Sequence, residues 1–275
     1  LPLMIKPMSN KIKSLKKKLN KTIWTDNFEK LKLHLYEQRG NIQGKSSLLM
    51  LPKNTEDVVK IVKLCNKNKI SIVPQGGRTG LCGGTIPNKN GQEILLSTEK
   101  MDKVIEVSKD GFYMIAQAGC SLSLIKKIAF ENNRFFPLSL PSEGSCTIGG
   151  NISTNAGGAA VLKYGMTKEL VEGIEVVLPN GEILNSIKNI EKDNRGFDPK
   201  YLHIGSEGTL GIITKVKIRL FPEIKKKAMA IVATNTIDNL IKFLNITKNE
   251  CYEFFSSFEI NTNIGLNLIN KFYKD

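Results

Sequence analysis

The chain has 275 residues, 41% hydrophobic and 24% charged, enough for one large or two smaller globular domains with a substantial core. Its formal charge of +14 comes from 40 lysines and arginines against 26 acids; the excess is lysine without an RNP, zinc-finger or helix-turn-helix pattern, so it reads as solvated surface and no nucleic-acid partner is expected. Five cysteines without a C-x-x-C pair and two histidines, His34 and His203, argue against a disulfide framework or a metal site and for a reducing compartment, and no apolar run reaches the roughly 18 to 20 residues of a membrane span.

Residues 1–22 carry seven lysines and no acid, with Ile12, Leu15 and Leu19 at helical spacing, which predicts an amphipathic first helix. Lacking arginine, it does not read as a mitochondrial presequence. Residues 36–47 are polar and turn-rich, and 48–52 bring the chain into the fold. Thr55 with Glu56 and Asp57 predicts a helix start, because a hydroxyl cap and first-turn carboxylates offset the unpaired N–H groups and the helix dipole. Val58, Val59, Ile61, Val62 and Leu64 give that helix its buried face, with Cys65 in the core. A strand over 70–73 then leads into residues 74–85, where five glycines in twelve residues strip side chains from a loop that can turn its N–H groups on an anion. A strand over 93–97 follows. Neither the G-x-G-x-x-G that opens a Rossmann helix nor a Walker G-K-[ST] is present, so the loop reads as a phosphate cradle without a helix dipole behind it.

Residues 103–108 and 112–118 predict paired strands around the turn Lys109, Asp110, Gly111. Ser121 caps a helix to Asn132 that buries Leu122, Leu124, Ile125, Ile128 and Ala129. An extended run over 137–141 enters a second small-residue loop, 144–158. Residues 170–178 and 182–184 predict a hairpin on Pro179, Asn180 and Gly181. A third small-residue loop, 204–214, runs into a strand over 213–220, and His203 is placed on a strand as core or edge filler. Beyond Pro222, Lys225, Lys226 and Lys227 mark a junction. Strands over 228–234 and 254–260 and helices over 236–248 and 263–272 follow, the first helix turning Ile237, Leu240, Ile241 and Leu244 inward.

These three loops, in this order and with these letters, resemble the α+β, two-subdomain PCMH-type FAD-binding domain of the vanillyl-alcohol oxidase type. The resemblance is to the branch of D-lactate dehydrogenases, D-2-hydroxyglutarate dehydrogenases and the glycolate oxidase D subunit, and it covers roughly residues 24–275. It implies a basic helical lead-in over 1–45, the FAD-binding domain over 46–222 and the beginning of an α+β cap domain over 228–275. The implied cofactor contacts are Pro74, Gln75, Gly76, Gly77, Arg78, Thr79, Gly80, Gly83 and Gly84 in the first loop. In and before the second they are Leu140, Pro141, Ser142, Glu143, Gly144, Ser145, Cys146, Gly149, Gly150, Asn151, Thr154, Asn155, Ala156 and Gly157. In the third they are Glu207, Gly208, Thr209, Leu210, Gly211, Ile212 and Ile213. Backbone donors and the hydroxyls of Thr79, Ser145 and Thr154 suit phosphate oxygens, and Arg78, where the family more often carries Asn, would add charge. Glu207 is expected to contact ribose or adenine, or to brace its loop, rather than act as a base.

Covalent relatives attach FAD through a histidine at the place of Arg78 or a cysteine in the second loop. Cys146 is read instead as a small buried thiol, with Cys82 and Cys120 as core or loop packing, so the FAD is expected to be noncovalent. The resemblance implies oxidation of a D-2-hydroxy acid, such as D-lactate, D-2-hydroxyglutarate or glycolate, to the 2-oxo acid by hydride transfer to flavin N5. Catalytic residues, the carboxylate-clamping arginine and a divalent-metal site are expected in the part of the cap that these residues lack, so this chain alone is expected to be inactive and to need a companion subunit or C-terminal half. The other reading is a non-catalytic flavin-binding module. The electron acceptor is open. The location expected is cytoplasmic or peripheral at the membrane, and mitochondrial in a eukaryote.

Overall fold

The computed structural model describes residues 10–188, 190 and 192–273. The lysine-rich start forms α1 (Asn10–Lys18), and its apolar stripe goes inward, with Ile12 and Leu15 fully buried; residues 1–9 of the expected helix lie outside the described residues. After β1 (Trp24–Thr25), α2 (Phe28–Lys32) and β2 (Leu49–Met50), the first long helix is α3 (Thr55–Asn68). Its cap is Asn54, not Thr55: the Asn54 side chain accepts from the Asp57 N–H. Thr55 is the first helical residue, and its hydroxyl donates to Glu175 instead. Lys69 ends α3 in a left-handed turn at φ 54°, so β3 (Ile72–Gln75) starts two residues later than the expected strand.

β3 and β2 flank β4 (Ile94–Ser97) in parallel, and β1 adds antiparallel to β2, giving a four-stranded sheet. Packed on it are α1 and α3, with Leu48, Val58, Ile61, Cys65 and Leu96 between. The basic lead-in thus shares this core. Burial pushes the Cys65 thiol up to about 12, which makes it an inert packing group.

The second layer is antiparallel. β5 (Val104–Val107) and β6 (Tyr113–Gln117) pair around the expected turn, and α4 (Leu122–Glu131) begins on Ser121, whose hydroxyl accepts from the Leu124 N–H. β7 (Arg134–Phe135) follows. The second small-residue stretch is not all loop: residues 148–153 coil into α5 (Ile148–Ser153), capped by Thr147. Two short helices, α6 (Val161–Tyr164) and α7 (Thr167–Leu170), lead to β8 (Val171–Val177) and its hairpin partner β9 (Ile183–Asn185). His203 ends a short helix, α8 (Lys200–His203), rather than lying on a strand. It is buried, its Nδ1 has no hydrogen-bond partner among the described residues, and burial lowers its pKa below the usual imidazole value. β10 (Ile212–Arg219) then inserts between β6 and β8, completing a five-stranded sheet in the order β5-β6-β10-β8-β9. Its face carries Met114, Ile174, Val216 and Ile218 against Ile125 of α4 and Ile148 of α5.

One buried carboxylate ties the two layers. Glu175 of β8 accepts from Thr55 Oγ1 of α3 at 2.5 Å, from Thr214 Oγ1 at 2.8 Å and from Lys215 Nζ at 3.0 Å. Burial alone would raise its pKa, but those three donors outweigh it and hold the carboxyl below its ordinary value.

β11 (Phe221–Pro222) pairs with β7, a ribbon the sequence reading missed, and Tyr164 packs edge-on against Phe221 and Phe135. Beyond it lie α9 (Ile237–Glu250) and α10 (Asn263–Phe272), capped by Thr236 and Thr262. The strands expected over 228–234 and 254–260 do not form. A strand needs a neighbour to take its N–H and C=O groups, and neither segment pairs with one among the described residues. The expected inward face of α9 also stays open: Ile237 is 73% and Ile241 51% exposed.

Candidate functional site

β3 and β4 run parallel and end side by side, with the Thr98 N–H donating to Gln75 O at 3.0 Å. The glycine loop leaves β3 there and crosses toward α5 and the start of β10. Between them lies a cavity of about 390 Å³. Among the described residues, no hydrogen bond is donated by any backbone N–H of residues 76–85. Main-chain donors are rarely left without an acceptor in a folded chain. Gly76 and residues 80–85 of this run border the cavity, where a ligand can supply the acceptors.

The glycines serve two different purposes. Gly80 has open space where a Cβ would stand, so its bareness exposes backbone. Gly77 lies against the turn at 142–146, and a Cβ there would sit 2.0 Å from Ser145 O and 2.7 Å from Cys146 Cα; its bareness lets two main chains touch. The other wall is made by α5 and the third loop, joined by Glu207 N–H donating to Ser153 O at 2.8 Å.

Of the residues expected to contact a cofactor, the cavity is lined by Pro74, Gln75, Gly76, Gly80, Gly83, Gly84, Gly149, Gly150, Thr154, Glu207, Gly208, Gly211, Ile212 and Ile213. Thr209 lines a second cavity of about 270 Å³, which shares Pro74, Gly208, Gly211 and Ile212 with the first and is walled by Val62, Ile72, Val177 and Leu178. The remainder sit elsewhere. Leu140 packs into the core of the large sheet, and Ser142 O accepts from the N–H groups of Ser145 and Cys146. Glu143 pairs with Lys126 of α4 at 2.6 Å, and Cys146 is buried. Asn155 and Ala156 bond to Lys168 and Thr167 of α7, and a Cβ on Gly157 would meet Met166. Pro141, Gly144, Thr79, Asn151 and Leu210 also lie outside the lining. The Thr154 hydroxyl donates to Gly150 O at 3.0 Å, so its proton is already committed.

The structure adds Leu81, Cys82, Thr85, Thr98, Ala118 and Ser153 to the lining. Thr98 and Ala118 follow strand ends, a position the expected strands already marked. Cys82 corrects the packing reading, since it is exposed at the cavity, whereas Cys120 is buried and its thiol is pushed up to about 12 by burial and the nearby Asp102 charge.

Charge near the cavity is arranged unexpectedly. Arg78, at φ 57°, turns its guanidinium toward His34 and Glu99. The carboxylate among the lining residues is Glu207, also at positive φ, with Oε2 3.0 Å from where a Cβ on Gly84 would stand.

A model of the family described as "FAD binding domain" matches residues 46–186. The chain is 40% identical over 233 residues to the mitochondrial D-2-hydroxyglutarate dehydrogenase of Danio rerio, covering 85% of this chain and 43% of that protein. It is 38% identical to the D-2-hydroxyglutarate–pyruvate transhydrogenase of Saccharomyces cerevisiae, covering 85% and 47%, and 36% identical to a putative mitochondrial D-lactate dehydrogenase of Schizosaccharomyces pombe, covering 84% and 43%. The chain therefore spans less than half the length of these relatives. A solved alkyldihydroxyacetonephosphate synthase superposes with a TM-score of 0.70 at 24% identity, over 79% of this chain and 41% of that one. A variant of Phl p 4, a glucose oxidase, does so at 0.64 and 16%, over 78% and 44%. At these identities the two structures bear on the fold alone.

Proposed function

This chain belongs to the FAD binding domain family, and from that premise we propose that the cavity between its two sheets holds FAD, with the diphosphate on the backbone of residues 76–85. The unpaired main-chain donors of that loop carry the reading. An oxyanion with many lone pairs is the partner such a run lacks, and glycine lets it come close. Gly149 and Gly150 at the start of α5 and Gly208 in the third loop bare the facing wall. The second cavity has Val62, Ile72, Val177 and Leu178 among its walls beside Asn66 and Thr209, so it offers both apolar contact and polar groups to the rest of the cofactor. The remaining expected contacts, Leu140 to Cys146 and Asn155 to Gly157, support the loops from behind in this reading. Residues 46–222 form the cofactor domain together with the lead-in helix, whose apolar stripe completes its core, and 228–275 lie outside both sheet cores.

The activity this flavin site would serve is oxidation of a D-2-hydroxy acid of the kind for which the relatives are named, and this chain alone is expected to be inactive. Bound flavin supplies an acceptor for the two electrons of that oxidation. The chain's own residues bind and orient it: Gln75 fixes the strand end, and the glycine loops exclude bulk from the diphosphate. Cys146, buried and away from the cavity lining, makes no covalent bond to it.

The test is an absorbance spectrum of the purified chain before and after incubation with FAD and desalting. A flavin spectrum that stays with the protein and passes wholly into the supernatant on acid precipitation is expected. A colourless protein after reconstitution sinks the binding claim, and flavin remaining in the pellet sinks the noncovalent one.

A further inference from the structure

Arg78 occupies a position where glycine or asparagine is the comfortable residue, since φ near 57° costs an ordinary side chain about 1 kcal/mol. Something must hold it there. Its guanidinium Nη1 lies 3.5 Å from Nε2 and 3.2 Å from Nδ1 of His34, and 3.7 Å from Glu99 Oε2. Glu99 Oε2 is in turn 3.8 Å from His34 Nε2. The ring is 4% exposed, while Arg78 and Glu99 are only partly covered.

Gln75 decides the protonation of that ring. Its Nε2 donates to His34 O at 3.0 Å and to Thr85 O at 2.7 Å, which uses both amide hydrogens. Oε1 therefore faces His34 Nδ1 at 2.7 Å as an acceptor, and Nδ1 must carry a hydrogen. In the neutral ring Nε2 is then the bare nitrogen, and Arg78 Nη1, slightly nearer Nδ1 than Nε2, lies against the ring. Gln75 joins the ring to both ends of the glycine loop, being itself the last residue of β3 and bonded to Thr85.

We propose that His34 and Glu99 are positioning residues for the cofactor loop: the neutral Nδ1–H ring and the Glu99 carboxylate together hold Arg78 in its left-handed turn. The inference rests on the reading of residues 76–85 as an FAD loop. A second proton would put a positive charge on the ring within 3.5 Å of the guanidinium, and the network would lose its anchor. The groups facing the ring are Arg78 from the loop, Glu99 after β4 and the uncharged Gln75 of β3. Burial and the Arg78 charge lower the ring's pKa, partly opposed by Gln75 and Glu99, so the neutral form prevails at neutral pH and the grip loosens on the acid side.

Two measurements on the whole chain separate the network from the cofactor reading. With 15N-labelled histidine, only His34 and His203 contribute, and His34 is expected as the Nδ1–H tautomer without cofactor. An Nε2–H tautomer overturns the proposal whatever FAD does. FAD affinity, followed by flavin fluorescence from about pH 8 to about pH 5.5, is expected to fall toward the acid end in the wild type, by less than about tenfold because the ring's pKa lies below its ordinary value. It is expected to stay within about twofold in Arg78→Asn, since asparagine tolerates positive φ unaided. Equal slopes overturn the proposal. If Arg78→Asn does not fold, Glu99→Gln takes its place and is expected to flatten the fall, because losing the carboxylate lowers the ring's pKa further; a slope unchanged from the wild type overturns it. Failure of all proteins to bind FAD at about pH 8 sinks the cofactor reading and leaves the tautomer to decide the network.

Discussion

Gly77→Ala is expected to lose FAD binding by more than about 100-fold and to cost about 3 kcal/mol or more of stability, the range for forced overpacking with a backbone shift. The added Cβ would meet a main-chain oxygen, Ser145 O, at 2.0 Å. No rotamer change relieves that, because neither atom belongs to a flexible side chain. The first loop and the turn at 142–146 would have to part, and the cavity wall would move with them. Gly80→Ala is the control. Nothing lies within 4 Å of its Cβ position, so stability should change by no more than about 0.5 kcal/mol. Thermal melts and flavin titrations of both variants decide the matter. A Gly77→Ala protein that melts and binds like the wild type would show that the close approach does not constrain the site.

Glu175→Ala should cost about 3 kcal/mol, the range for removing one partner of a buried charged network. It strands the buried hydroxyl of Thr55, takes from Lys215 Nζ its ion-pair partner and leaves Thr214 only the residue 175 carbonyl, and it cuts the polar link from α3 to the large sheet. The pH dependence gives a sharper reading. Because the folded carboxyl is held below its ordinary value, its contribution is fully present above the unfolded value of about 4.3 and is lost as pH falls through the folded one. Urea midpoints should therefore drop between neutral and acid pH more steeply in the wild type than in the alanine variant. Parallel profiles would rule out this carboxylate as the acid-labile tie.

The segments most legible in sequence were those with local signals. Ser121 and its helix, the Lys109 to Gly111 turn and the Asn180-Gly181 hairpin all rest on chemistry within a few residues. α5 was missed because Gly149 and Gly150 weaken any helix signal. Packing decides it instead: a Cβ on Gly149 would collide with Ala118 at 2.6 Å, so the helix lies directly on the strand end. The strands expected over 228–234 and 254–260 err in the opposite sense, since apolar composition cannot provide a pairing neighbour. In the site, the letters marked where side chains are absent. They could not tell a glycine that opens the cavity, Gly80, from one that lets two chains touch, Gly77. Nor could they show that Arg78 looks back to His34, 44 positions earlier.

The cavity draws on residues 74–85, 149–154 and 207–213, segments separated by more than fifty positions each. Closing such loops is an entropic cost met late, after local helices and hairpins have formed. An intermediate holding only the four-stranded sheet has one wall and no grip on a flavin. Cofactor at about a hundred times its dissociation constant would thus add about 2.7 kcal/mol to the native state alone. In refolding experiments flavin capture should accompany the slowest phase, marking the moment when the two sheets meet.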